Sequence, residues 1–334
     1  MIKDLCIENF RGFDNLKIDN IKKINFLVGK NNCGKTTVLE AINLMISILD
    51  LNTAYYINAI RRIKEDPEEL KNLFHNFDCK NNINLNYTLD TNKNYNLIIS
   101  PIIKKDNLFL NGIVSLEYTF STTEDKKNYK YSLENINSIE RELLKYNHNI
   151  KGVYLSSAVE YNNLTNYLIE ILKNKNEKQL IEMISFFNKN IKAINILKND
   201  IYFNIEGIDE LVLSNIMGDG LKKYLSIILP IVANKYDTIL VDEIENGLHH
   251  KTIKHLLRSI LNLSKNNDIQ MFFTTHSYEV LKFLSEIVND EFGDMKDTVN
   301  VINIVNTENK GFQSYNYDID SVKELLENDS DIRY

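Results

Sequence analysis

Over residues 1–28 apolar side chains recur at the short intervals of extended chain: Ile2, Leu5, Ile7 and Phe10, then Leu16 and Ile18, then Ile24, Phe26, Leu27 and Val28. The pattern predicts two strands folded about a turn at Arg11-Gly12-Phe13, with a third strand behind them. The interval then lengthens. Val38, Leu39, Ala41, Ile42, Met45, Ile46 and Leu49 fall on one face of a helix predicted over 36–50. Residues 51–80 read as polar and helical, with Pro67 at a helix start and Glu68 and Glu69 in its first turn, where negative charge suits the dipole. From 81 to 133 the period shortens again: Ile83, Leu85, Tyr87 and Leu89, then the runs 97–103, 108–116, 118–120 and 129–133, are separated by polar turns. That is the pattern of an antiparallel meander. Residues 52–150 are therefore expected to form an inserted lobe between the core halves 1–51 and 151–334.

Residues 151–157 read as a strand returning to the core, 160–190 as helical, and 191–213 as short strands. Leu221, Tyr224, Leu225, Ile228, Leu229 and Val232 then predict a helix that Pro230 kinks or shortens. The continuous run 238–241 is the form of a buried parallel strand. A helix over 250–264, a strand around 269–273, a hairpin over 299–305 and 312–317 and a last helix complete the chain. Strands alternating with helices make the fold class α/β.

With 334 residues, 43% of them hydrophobic, the chain can bury one large core or a core plus a lobe. A net charge of −7 argues against the global basic field of a dedicated nucleic-acid binder, although a local basic groove stays open. Cys6, Cys33 and Cys79 show neither paired nor metal-ligand spacing, which suits a reducing interior. No stretch reaches the roughly 18 consecutive apolar residues of a membrane span, and the start Met1-Ile2-Lys3-Asp4 is not a signal peptide. A cytoplasmic protein is expected.

The candidate chemistry centres on residues 29–37, Gly-Lys-Asn-Asn-Cys-Gly-Lys-Thr-Thr, which fit G-x-x-x-x-G-K-[ST] between a predicted strand and a predicted helix. Gly29 and Gly34 let backbone approach phosphate oxygens, loop N–H groups across Asn31, Asn32 and Cys33 supply partial positive charge, and Lys35 adds a full one. The Thr36 hydroxyl suits Mg²⁺, with Thr37 beside it. Cys33 is either an oxidation switch or a small loop filler. Arg11, near the predicted hairpin turn, reaches nucleotide phosphate or a partner, or is a surface arginine that needs no function.

Two further strand ends fit the same site. The run 238–241 delivers Asp242 and Glu243, the first suited to hold Mg²⁺ through water beside Thr36, the second to orient or deprotonate the attacking water. The strand at 269–273 delivers Thr274-Thr275-His276-Ser277, with His276 as a γ-phosphate contact. His249, His250 and His255 form no ligand set with acids or cysteines, and Asp318 and Asp320 read as a turn and helix cap.

These segments, with Asn9-Phe10-Arg11-Gly12 and residues 242–249, resemble the ABC-type ATPases of the SMC, RecF and OLD group, most closely bacterial OLD-like (AAA-family) anti-phage ATPases without a nuclease domain. The resemblance implies an ABC-type P-loop ATPase core with a mixed sheet flanked by helices, plus an inserted antiparallel and helical lobe. It implies ATP and Mg²⁺ as cofactors and two cores, as a homodimer or higher oligomer, paired head to tail. In that pairing Gly218, Asp219 and Gly220 occupy the signature position, presenting backbone N–H groups to the γ-phosphate across the dimer. The serine of LSGGQ is missing unless Ser214 takes its place. No Q-loop glutamine is evident, Ser156 and Ser157 standing nearest. The expected function is a dimerising ATPase switch that controls a separately encoded nuclease or toxin, with nucleic acid as a further partner and no membrane. The alternatives are a non-hydrolysing ATP-gated scaffold and a RecF-like repair ATPase that binds DNA.

Overall fold

The computed structural model describes residues 1–48, 50–104, 112–123, 128–132, 150–157, 164–328 and 332. Strands β1 (Ile2–Phe10) and β2 (Phe13–Ile18) form the predicted hairpin, and β3 (Ile24–Val28), buried along its whole length, runs into helix α1 (Lys35–Ile46). Helix α2 (Thr53–Ile60) follows. Pro67 does begin a helix, but a 3₁₀ one (Pro67–Leu73), with the Asp66 carboxylate accepting from the Glu68 N–H.

The meander comprises β4 (Ile83–Leu89), β5 (Asn94–Lys104), β6 (Gly112–Thr122) and β7 (Tyr129–Ser132). The runs 112–116 and 118–120, read as separate, are one strand, because Leu116, Tyr118 and Phe120 continue a single buried alternation. Positions 108–111 and 133 lie outside the described residues. Strand β4 pairs antiparallel with β1, matching Leu5 to Tyr87 and Ile7 to Leu85, so six strands run β2-β1-β4-β5-β6-β7. The segment expected as an inserted lobe thus shares a sheet and a core with the N-terminal hairpin and α1.

After β8 (Gly152–Leu155), α3 (Leu164–Lys173) and α4 (Glu177–Ile184) fill the helical stretch, whose residues 160–163 lie outside the described residues. Strands β9 (Ile191–Leu197), β10 (Asp200–Ile205) and β11 (Val212–Leu213) form a small antiparallel sheet. Helix α5 (Asp219–Val232) runs two residues past Pro230, which falls in its last turn. Then come β12 (Thr238–Val241), α6 (His250–Asn266), β13 (Gln270–Thr274), α7 (Tyr278–Glu291), β14 (Val299–Thr307), β15 (Gly311–Tyr317) and α8 (Ile319–Glu327). Asp318 caps α8 by accepting from the Ser321 N–H, and Asp320 pairs with Lys296.

The central sheet has the order β15-β14-β3-β13-β12-β8 and is parallel except for β15. Its strands are apolar on both faces: Phe26, Val241 and Phe273 pack toward α5, α6 and α7, and Leu27, Leu240 and Phe272 toward α1. A fully buried strand of this kind reads as a continuous apolar run. The order sets the carboxyl ends of β3, β13 and β12 side by side, where open parallel sheets bind ligands. Among the described residues no helix is long and apolar enough to cross a membrane.

Candidate functional site

The loop from β3 to α1 turns through Gly29 (φ 135°), Asn32 (φ 62°) and Gly34 (φ 96°). A Cβ at Gly29 would overlap the Ile304 carbonyl oxygen and the Cys33 sulfur, and one at Gly34 would overlap the Phe13 ring. Only glycine combines these backbone angles with such close neighbours. Lys35 opens α1 and folds back across the loop, its Nζ donating to the carbonyls of Gly29 and Lys30, each at 2.9 Å. Burial pulls its pKa down, while Cys33 and Asp242 pull the other way. Burial also pushes the Cys33 thiol up, which keeps it protonated and leaves the oxidation-switch reading without a thiolate.

Asp242 follows β12 and is buried. One of its oxygens accepts from two hydroxyls, Thr36 at 2.9 Å and Thr274 at 2.6 Å. The Thr274 oxygen in turn accepts from the Glu243 N–H at 2.7 Å. Thr274 therefore ties the ends of β12 and β13 together, a role that a polar residue closing an apolar run does not announce in sequence. Glu243 holds a left-handed backbone angle (φ 49°), uncommon for a residue with a side chain, and lines the cavity. Next to it, one Glu245 oxygen accepts from the His276 N–H at 2.7 Å. Burial first, and then the Lys35 charge, lower the His276 pKa, so its imidazole is neutral at pH 7.

Asn31, Asn32, Gly34, Lys35, Thr36, Thr37, Glu243 and His276 thus surround one cavity of about 760 Å³, with Asp242 reached through Thr36. The paired oxygens of Thr36 and Asp242 are hard donors of the kind Mg²⁺ takes alongside substrate phosphates and water. No set of three or more His, Cys, Asp or Glu side chains at metal-binding range occurs among the described residues. Two protein oxygens, from Thr36 and Asp242, fit an ion whose remaining positions go to substrate phosphate and water.

Arg11 also lines the cavity, but its side chain is 7% exposed and already engaged. Its Nε lies 2.6 Å from Glu40, and its other nitrogens donate to the carbonyls of Ile57 and Asn72 and to the side chain of Asn58. The phosphate contact expected of Arg11 gives way to a buried ion pair. Arg61, which the sequence did not single out, binds the other Glu40 oxygen at 2.7 Å and donates to Thr37. It stays 37% exposed at the cavity wall, making it the better-placed second cation. The candidate signature residues Gly218, Asp219 and Gly220 lie elsewhere, at the start of α5, with Asp219 exposed and paired to Lys222. Ser156 lines a different cavity.

Residues 24–282 match the family model described as "AAA domain, putative AbiEii toxin, Type IV TA system". A protein of Helicobacter pylori named ATP/GTP phosphatase is 28% identical over 332 residues, spanning 87% of this chain and 89% of its own. The DNA replication and repair protein RecF of Lachnoclostridium phytofermentans is 22% identical over 86% of this chain and 76% of its own. Among solved structures, an SMC head bound to the C-terminal winged-helix domain of ScpA superposes with a TM-score of 0.53 at 13% identity, covering 96% of this chain and 98% of its own. At that identity the likeness concerns the fold.

Proposed function

Taking as premise that the chain belongs to this AAA-domain family, whose model covers its residues 24–282, we propose that it is a magnesium-dependent ATPase whose cores pair on ATP to switch a partner effector. The observation that carries the reading is the convergence of three strand ends, with Lys35, the Thr36–Asp242 pair, Glu243 and His276, around one cavity. Loop N–H groups and Lys35 hold the phosphates. Magnesium held by Thr36 and Asp242 would supply charge neutralisation at the phosphates. Neutral His276 offers one N–H to the terminal phosphate, and Glu243 takes a proton from the attacking water. The similarity to a protein named ATP/GTP phosphatase supports hydrolysis.

The exposed start of α5, where Gly218 (φ 95°) caps the helix, suits a contact with the phosphates of a second copy. The effector is read as a separately encoded nuclease or toxin acting in anti-phage defence. The family description, which names a toxin of a type IV toxin–antitoxin system, supports a toxin-linked role. The departure of residues 217–220 from LSGGQ favours a second reading, an ATP-gated scaffold that assembles without turnover.

Phosphate release measured beside sizing separates the two. Wild type is expected to hydrolyse ATP, while Glu243→Gln retains ATP, loses about 10²-fold or more in rate, and accumulates as a pair. Unchanged phosphate release in Glu243→Gln removes Glu243 from its role. ATP-driven pairing of wild type without phosphate release leaves the scaffold.

A further inference from the structure

A second cavity, of about 830 Å³, lies around β8 and shares no lining residue with the first. Around Lys223 and Ser226 of α5 it is bounded by Tyr56 of α2, Tyr154 of β8 and Tyr167 of α3, and its charged lining also includes Arg62 and the carboxylates Asp50 and Glu65. Two of these side chains are buried without a hydrogen-bond partner among the described residues: Lys223, 4% exposed, at its Nζ, and Tyr154, 6% exposed, at its Oη. Burial lowers the Lys223 pKa, Asp242, Glu243 and Glu245 act the other way from a distance, and none of these carboxylates forms an ion pair with it. A buried ammonium with no acceptor among the described residues is costly, and a bound counter-charge would offset that cost.

We infer that this cavity is a binding site for a small organic oxyanion, a carboxylate or phosphate monoester carried on an apolar or aromatic body. Lys223 supplies the charge, and Tyr154, with an O–H to give, supplies a second donor. The aromatic rings of Tyr56 and Tyr167 and the side chains of Val153 and Leu155 suit the apolar body. The site touches the helix that follows the phosphate loop, the strand paired with β12, and α5. Its occupant is therefore placed to bias how these three elements pack. Its chemistry is independent of the ATPase reading.

The test is titration calorimetry of the full chain with phenyl phosphate and with benzoate, repeated on protein saturated with ADP. One of the two probes is expected to bind once per chain with or without ADP, and the better probe tells which oxyanion the site prefers. Lys223→Met should weaken that binding by about tenfold or more, since a hydrogen bond to a charged group is lost, and Tyr154→Phe by less. Lys223→Met removes a buried unpaired charge, so its melting temperature should equal or exceed that of wild type. Should it fail to fold, Lys223→Arg, which keeps the charge, is expected to bind within about tenfold of wild type. Absence of binding by both probes, binding indifferent to both Lys223→Met and Tyr154→Phe, or binding abolished by ADP overturns the site. Failure of ADP itself to bind would count against the ATPase reading and not against this one.

Discussion

Glu40 shows how much a single buried charge organises around the first cavity. It has no exposed side-chain surface, and its two oxygens are taken by Arg11 and Arg61. Glu40→Gln leaves both guanidinium groups short of counter-charge and is expected to cost about 3–5 kcal/mol, measured by urea unfolding. A loss below about 1 kcal/mol would show the pair to be solvated. The sequence made Arg11 a phosphate candidate because its partner is remote in the chain and nothing local announces it. His255 gives a second residue-scale expectation. It is stacked between the rings of Phe186 and Tyr224, with its Nε2 2.7 Å from the Met183 carbonyl, and burial lowers its pKa below the ordinary 6.5. Below that value the unfolded chain takes up the proton first, so stability is full above pH 6.5 and falls as pH drops toward the folded pKa. The melting temperature should decline on acidification from pH 7 to about 5.5, and by less in His255→Phe.

At the scale of elements, the phosphate loop was readable because its constraints are local: the spacing of Gly29, Gly34, Lys35 and Thr36 between an apolar run and a helical pattern needs no distant partner. Gly34→Ala places a methyl group at φ 96° against the Phe13 ring. It is expected to cost about 1–3 kcal/mol and to abolish nucleotide binding, read by thermal melts with and without ATP. Normal affinity in that variant would mean that the loop does not hold phosphate in this conformation. The strands 238–241 and 269–273 were equally plain, since burial on both faces leaves an unbroken apolar run. What could not be read was pairing. Alternation shows that β4 has a buried face but not that β1 is its neighbour, and it does not distinguish a 3₁₀ turn at Pro67 from an α-helix.

Across the whole molecule, two hydrophobic cores lie on opposite faces of one mixed sheet, and the carboxyl ends of its strands β3, β12 and β13 deliver the phosphate loop, Glu243 and His276 to the first cavity. The alternation of strands and helices made this α/β plan legible. The threonine bridge from Thr274 to Asp242 and the cation at Arg61 were not, because each depends on segments that meet only after folding. The measurement that tests the central convergence most directly is equilibrium titration of ATP, with and without Mg²⁺, into wild type, Lys35→Met and Asp242→Asn. One ATP per chain should bind to wild type and weaken by about tenfold or more in Lys35→Met, whereas Asp242→Asn should lose the enhancement by Mg²⁺. Equal, Mg²⁺-enhanced binding in all three proteins would contradict a single triphosphate site at the ends of β3, β12 and β13.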